Sequence, residues 1–199
     1  MLNNKNSVWS LKLDQVHSWA FIKNFLNDEE CQKIIDYSKK IKSSKAYVKD
    51  NNNKTVLENS YRESDLKWLY PDGETEWLYR KLVDAVNFMN DKYFGFHISH
   101  FIESLQFTNY REGKGFYKKH IDKLCNHTIR KLSVSIQLSD PNEYEGGDLL
   151  LYEDEKPQKM NRKKGALIIF PSYVLHEVTK VTKGERNSLV AWVTGDNFK

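Results

Sequence analysis

Residues 101–109 read Phe-Ile-Glu-Ser-Leu-Gln-Phe-Thr-Asn, and here the hydrophobic period becomes two. Phe101, Glu103, Leu105, Phe107 and Asn109 alternate with Ile102, Ser104, Gln106 and Thr108. Alternation of this kind marks a β-strand, whose successive side chains point to opposite faces. Four more segments follow: Lys131–Leu138, Asp148–Tyr152, Gly165–Phe170 and Ser188–Thr194. Each is short and rich in Val, Ile, Leu or aromatic residues. Pro141-Asn142, Glu145-Gly-Gly147 and Pro171-Ser172 supply the turn signals around them.

Upstream the period is helical. Asn27 to Ile41 opens with Asn27-Asp28, suited to capping, and places Cys31, Ile34, Ile35 and Tyr37 at helical spacing. Glu74 to Lys92 repeats Trp77, Leu78, Leu82, Val83, Val86 and Met89, the spacing of a packing face. The first third therefore reads as mostly helical. Residues 43–60, with Asp50-Asn-Asn-Asn-Lys54, read as a polar loop. Helices first and strands afterwards argue an α+β fold with the strands in a sandwich or barrel. A jelly roll is the natural architecture for strands at this spacing, although periodicity alone does not distinguish it from another antiparallel sandwich. With no repeat and no Gly/Ser/Pro-rich linker, one domain over 1–199 is the simplest division, helical over about 1–95 and stranded over about 100–196.

The composition is globular, with 39% hydrophobic and 13% aromatic residues among 199. Thirty-one basic and 27 acidic residues give a net charge of +4, too small an excess to imply nucleic acid. The two cysteines, Cys31 and Cys125, form no CxxC pair and no disulfide framework. No apolar run is long enough to cross a bilayer, and the first residues carry no signal-peptide core. A cytoplasmic protein with free thiols is the expectation, and the richness in Asn and Lys fits an AT-rich bacterial or phage genome.

Of the six histidines, two stand out by their surroundings. His120-Ile-Asp122 puts two ligands two residues apart, on one face of a strand. His176, in Phe170-Pro-Ser-Tyr-Val-Leu-His176, lies between two strong strands and can supply a third ligand from a strand facing the first. Two histidines and a carboxylate with open positions form the facial triad of non-haem iron oxygenases, whereas a Cys-rich set would have pointed to zinc. A bidentate 2-oxo acid fills two of the three remaining octahedral positions and dioxygen the third. The far carboxylate of 2-oxoglutarate then needs a cation. Arg186, ten residues after His176, suits it because a guanidinium grips a carboxylate bidentately and stays charged. Ser188, on the same strand face, adds a hydroxyl, and Tyr110 a phenol.

The order His-x-Asp, Glu-Gly-Gly-Asp148, Phe-Pro-Ser-x-x-x-His176 and Gly-Glu-Arg186-x-Ser188 is far more specific than any member alone. Over Tyr110–Asp122, Tyr144–Tyr152 and Gly165–Val193 the chain resembles the prolyl 4-hydroxylase-like superfamily of iron(II)/2-oxoglutarate dioxygenases. The resemblance implies a double-stranded β-helix, a jelly-roll variant, with N-terminal supporting helices. It implies iron on His120, Asp122 and His176, and 2-oxoglutarate on Arg186 and Tyr110. It implies hydroxylation of a prolyl residue in a peptide or protein, using dioxygen, releasing succinate and CO2, with ascorbate as reductant. Tyr61-Arg-Glu-Ser-Asp-Leu-Lys-Trp68 looks like the Arg-containing segment ahead of a tryptophan in prolyl hydroxylases. Arg62 and Trp68 thereby become substrate-side residues, and residues 43–60 a substrate loop. Two departures stand out. Gln137 occupies about the place where some relatives carry a second co-substrate tyrosine, and collagen-type enzymes have Lys where this chain has Arg186.

Other residues read more simply. His97 and His100 sit at a helix-to-strand junction and are structural; His127 is a solvated loop residue and His17 a surface one. Trp192 is core, with a pocket wall as the alternative. Glu177, adjacent to a proposed ligand, points to the opposite face. Two rival functions remain: a nucleic-acid-base demethylase on the same core, and a non-catalytic β-sandwich binding module. A base demethylase calls for a basic, aromatic lid. Residues 43–60 carry one Tyr and no Trp or Phe, which favours a peptide.

Overall fold

The alternation from residue 100 onward sorts side chains onto two faces, one for helices and one for a cavity. The computed structural model describes residues 16–45, 48–49, 55–56, 61–122, 124–125 and 128–196. Its N-terminal elements are β1 (Ala20–Ile22), α1 (Asp28–Lys39), β2 (Ser44–Lys45), β3 (Val48–Lys49), β4 (Thr55–Val56), β5 (Arg62–Glu63), β6 (Asp65–Leu69) and α2 (Glu76–Met89). A π-helical turn, Asn90–Phe94, closes α2. The strands continue with β7 (His100–Phe101), β8 (Leu105–Arg111), β9 (Phe116–His120), β10 (Leu124–Cys125), β11 (Thr128–Gln137) and β12 (Tyr144–Gly146). The last five are β13 (Leu149–Tyr152), β14 (Gln158–Lys159), β15 (Leu167–Pro171), β16 (Leu175–Val178) and β17 (Val181–Thr194).

A ten-stranded sheet runs β1-β15-β11-β17-β8-β6-β2, with β10, β12 and β7 attached beside it. A five-stranded sheet runs β14-β13-β16-β9-β5. All the strand pairs are antiparallel. On the larger sheet, Leu105 and Phe107, Leu132 and Ile136, Leu167 and Ile169, and Leu189, Ala191 and Val193 share one buried cluster with Cys31, Ile34, Leu78, Leu82, Val86 and Met89 of the helices. The helices therefore cover its back. The intervening residues face the smaller sheet, and Tyr110, Ile168 and Phe170 pack there against Leu149, Leu151 and Val178. This face-to-face pair is the jelly-roll core that the strand spacing left as one option.

Helix α1 starts where the sequence says it should. Asn27 accepts from the Glu30 amide at 2.8 Å, and Glu30 accepts from the Asn27 amide at 2.9 Å. This reciprocal capping box satisfies two otherwise unpaired donors, each such cap contributing about 1 kcal/mol.

Three expectations need correction. The first third is mixed rather than mostly helical: β5 and β6 extend the smaller and larger sheets. Their polar run Arg62-Glu63-Ser64-Asp65 hides the alternation, while Leu66 and Leu69 supply the buried positions. Asp122 does not share a strand with His120. β9 ends at His120, and the Asp122 amide bonds instead to the Ser172 carbonyl at 2.8 Å. His176 does not face His120 across the sandwich either; the two are register partners on adjacent strands β16 and β9. Most of residues 43–60, His127 and the extreme N-terminus lie outside the described residues. Among the described residues no helix is long and apolar enough to cross a membrane.

Candidate functional site

His120, Asp122 and His176 converge so that one ligand atom from each lies within 4.8 Å of the others. His120 and His176 arrive as cross-strand partners, which brings their rings to 4.1 Å between centroids. Each ring donates its Nδ1 proton to a backbone carbonyl two residues back, His120 to Lys118 at 2.7 Å and His176 to Val174 at 2.9 Å. A carbonyl can only accept, so Nδ1 carries a proton and Nε2 is the nitrogen left to meet a metal. Both Nε2 atoms are turned toward Asp122: His176 Nε2 lies 3.4 Å from Oδ2 and His120 Nε2 lies 3.7 Å from Oδ1.

The carboxylate is itself held. Ser133 and Trp192 both donate to Asp122 Oδ2, at 2.9 and 2.8 Å, and Ser172 Oγ lies 2.9 Å from Ser133 Oγ. Both bonds fall on Oδ2, while Oδ1, with Arg130 Nη1 4.0 Å away, accepts no hydrogen bond among the described residues and can face a metal ion. Burial acts against the charge of Asp122, but His176, His120 and the Trp192 hydrogen bond outweigh it and hold the group well below the usual carboxylate range. Burial, reinforced by His176, lowers His120 to about 3, so its ring is neutral at physiological pH. A neutral imidazole at His120 beside an ionised Asp122 is the pair of protonation states that metal coordination needs.

One cavity extends from this cluster to Arg186. Its lining includes Tyr110, Tyr117, Ser133, Ser135, Ser188 and Trp192. Arg186 is 1% exposed and sits within β17, where the sequence placed it just ahead of a strand. It donates to Gln137 Oε1 at 2.9 Å, lies 3.4 Å from Ser188 Oγ, and is 5.3 Å from the centre of the Tyr110 ring. All of these partners are neutral. A buried guanidinium with no carboxylate, at the far end of a cavity from three metal-ligating atoms, fits a 2-oxo dicarboxylic acid. Gln137 thus supports Arg186 with a neutral side chain.

Arg62 and Trp68 part company. Arg62 is 8% exposed and lines the same cavity. Trp68 pairs with Gln106 across β6 and β8 and so projects from the cavity side of the sheet, yet it stands outside the cavity lining. His17 is exposed, edge-on to Tyr93, and His100 bonds to Ser99, both remote from the cluster. Glu177 accepts from the Tyr152 hydroxyl on the outer face and is no part of the site. A wider cleft floored by Ile34, Leu69 and Leu78 lies beside α1, but the metal-ligating cluster found among the described residues is elsewhere.

Sequence reasoning missed Ser133, Gln106 and Tyr117. Tyr117 stacks on His120 with centroids 3.5 Å apart. Residues three apart on a regular strand lie on opposite faces, so spacing gives no signal for it; the register of β9 against β16 shifts between His120 and Tyr117. Ser133, Ser135 and Gln137 alternate with Leu132, Val134 and Ile136, a pattern that ordinarily marks a solvated face. Here the helices take the apolar face, so the polar one is buried.

Residues 105–194 match the model of the 2OG-Fe(II) oxygenase superfamily, and this segment is similar to that superfamily. The family implies iron(II), 2-oxoglutarate and dioxygen. A PKHD-type hydroxylase of Prochlorococcus marinus is 37% identical over 93 residues, which are 46% of this chain and 42% of that protein. The match thus spans less than half of the curated relative. Among solved structures, a Pseudomonas putida prolyl-4-hydroxylase aligns with a TM-score of 0.70 and 20% identity, over 91% of this chain and 94% of that one. A Trichoplax adhaerens prolyl hydroxylase, solved with a hypoxia inducible factor peptide fragment, aligns at 0.74 and 20%, over 89% and 84%. These likenesses show the fold alone, a jelly roll shared with these structures.

Proposed function

We propose that this chain is an iron(II)- and 2-oxoglutarate-dependent dioxygenase that hydroxylates a prolyl residue of a peptide or protein. The observation that carries the reading is the cavity with His120, Asp122 and His176 at one end and the carboxylate-free Arg186 at the other. In the reaction one oxygen atom of O2 enters a C–H bond as hydroxyl. The other enters 2-oxoglutarate, which leaves as succinate and CO2. Bound iron supplies the activation of dioxygen. Ascorbate is the reductant expected to keep it ferrous, and the cytoplasm the expected setting.

The chain's own residues prepare that chemistry. His120 and His176 present Nε2 because their Nδ1 protons are committed to Lys118 and Val174. Ser133 and Trp192 fix Asp122 so that Oδ1 is offered. Arg186, aided by Ser188, holds the far carboxylate of the co-substrate and orients its 2-oxo end toward the three ligands. Tyr110 walls that end of the cavity, and Tyr117 covers His120.

The test is an anaerobic titration of the protein with iron(II) and 2-oxoglutarate. A visible charge-transfer band of a chelated 2-oxo acid is expected, followed under air by succinate release and a one-oxygen mass gain in prolyl peptides. Iron binding with no such band would sink the 2-oxoglutarate assignment and favour a binding module. A band with no prolyl product, but with loss of a methyl group from a methylated base, would favour the demethylase.

A further inference from the structure

The chain has six arginines, and four of them meet carboxylates. Arg80 pairs with Glu76 at 2.5 Å, Arg111 with Asp65 at 2.7 Å and Arg162 with Asp148 at 3.1 Å; Arg130 pairs with Glu103. The two that do not, among the described residues, are Arg62 and Arg186, and both line the same cavity.

Arg62 is as well built as Arg186. Its Nε donates to Ser64 Oγ and one terminal nitrogen to Gln106 Oε1, both at 2.9 Å. Its guanidinium lies 4.4 Å from the centre of the Tyr117 ring, which also stacks on His120. The hydroxyl, the carboxamide and the ring orient the cation without neutralising it, and its other terminal nitrogen remains to donate. A charge that is nine-tenths buried among neutral groups is costly unless a counter-charge arrives.

Charge balance says where that counter-charge comes from. Under the function proposed above, iron(II) and Arg186 carry three positive charges. Asp122 and the dianionic co-substrate carry three negative ones. Arg130 is cancelled by Glu103. The charge of Arg62 is left over, one aromatic ring away from a metal ligand, on the wall where the primary substrate must lie.

We propose that Arg62 is the anion-binding residue of the primary-substrate site, so that the substrate carries a carboxylate close to the C–H bond that is oxidised. The carboxylate is either the chain terminus or an Asp or Glu side chain adjacent to the target residue. The inference rests on the oxygenase reading of the site; the prolyl identity of the target is separate from it.

The test uses the full chain loaded with manganese(II) and 2-oxoglutarate, so that binding is measured without turnover. Calorimetry compares N-acetyl-proline with its amide, N-acetyl-Pro-Asp-amide with N-acetyl-Pro-Asn-amide, and N-acetyl-alanine with its amide. At least one carboxylate probe should bind tenfold or more tighter than its neutral partner, and the pair that shows this names the source. Arg62→Gln should erase the difference, and Arg62→Lys should keep part of it. Equal binding within every pair, no saturable binding, or a preference that survives in Arg62→Gln would each overturn the proposal. Because the wild-type comparison stands by itself, a variant that fails to fold does not weaken the test. A carboxylate preference for alanine but not proline would keep Arg62 in this role and remove the prolyl reading. Prolyl turnover with no carboxylate preference would do the reverse.

Discussion

The indole of Trp192 donates to Asp122 Oδ2 at 2.8 Å, across 70 positions of sequence. Ser133 bonds to the same oxygen, so a side chain that reads as core and one that reads as solvated jointly aim the carboxylate. Removing such an outer partner typically weakens metal binding by about 10–100-fold. Ser133→Ala and Trp192→Phe, which keep most of the buried volume, should each lower manganese(II) affinity in that range. Titration followed by electron paramagnetic resonance checks this, and wild-type affinity in both variants would remove the positioning role.

Arg186 offers a sharper outcome. Truncating one member of a buried, hydrogen-bonded charge pair costs about 2–5 kcal/mol. Arg186→Ala should therefore raise the 2-oxoglutarate dissociation constant by more than tenfold while leaving metal affinity nearly unchanged. Gln137→Leu, which removes the neutral support beneath the guanidinium, should produce a smaller loss of the same kind. The charge-transfer band, titrated with co-substrate, reports both. A larger loss in Gln137→Leu than in Arg186→Ala would contradict the assignment.

Cys31 is fully buried, and burial raises its thiol to about 11. The sign follows from linkage: the fold favours the neutral thiol, so its contribution is complete below the unfolded value near 9 and is lost as pH rises toward 11. In a Cys125→Ser background, Cys31 should resist a thiol reagent at pH 8 until the chain unfolds. Denaturant midpoints should decline from pH 9 upward, and the decline should be shallower in Cys31→Ala. Rapid labelling of the native protein would refute the burial argument.

Gly165 is the point where α1 and the sheet are tied. Its φ is +79°, its carbonyl accepts from the Leu26 amide, and an added Cβ would stand 1.9 Å from the Leu26 carbonyl oxygen. A left-handed conformation at a non-glycine residue costs about 1–3 kcal/mol before any clash. Gly165→Ala should therefore lower the melting temperature by several degrees, whereas Asn27→Ala, which removes only a cap, should cost about 1 kcal/mol. An unchanged melting temperature in Gly165→Ala would mean that the junction rearranges freely.

The parts of the site that could be read from the sequence are those whose chemistry admits few substitutes. His120, Asp122, His176 and Arg186 announce themselves because a metal triad and a carboxylate clamp demand particular residue types at particular separations. The helices are legible from Ile34, Leu78, Leu82 and Met89, because one apolar face must be buried. Strand membership of Arg62 and Glu63 is not, since a two-residue edge strand carries no period to recognise. Nor is the inward direction of Ser133, because alternation gives two faces without saying which one meets water. That choice depends on where the helices pack, a fact of tertiary structure. The neighbouring of His120 and His176 is hidden for a related reason, since strand order in a sheet is not sequence order.

β17 carries Arg186, Ser188, Val190 and Trp192 on its cavity side, and Leu189, Ala191 and Val193 on its helix side. It is hydrogen-bonded to β8 and β11 along both edges. Six residues of strand, about 20 Å at the usual rise, thus separate Arg186, the proposed co-substrate clamp, from the indole bonded to Asp122. This strand works as a fixed ruler. Slipping it by one residue would exchange its two faces, and slipping it by two would carry both functional side chains off their targets together. The depth of the reaction chamber is therefore locked to the hydrophobic packing behind it. Under the proposed function, substrate choice is then free to vary on the wall that bears Arg62 and Tyr117.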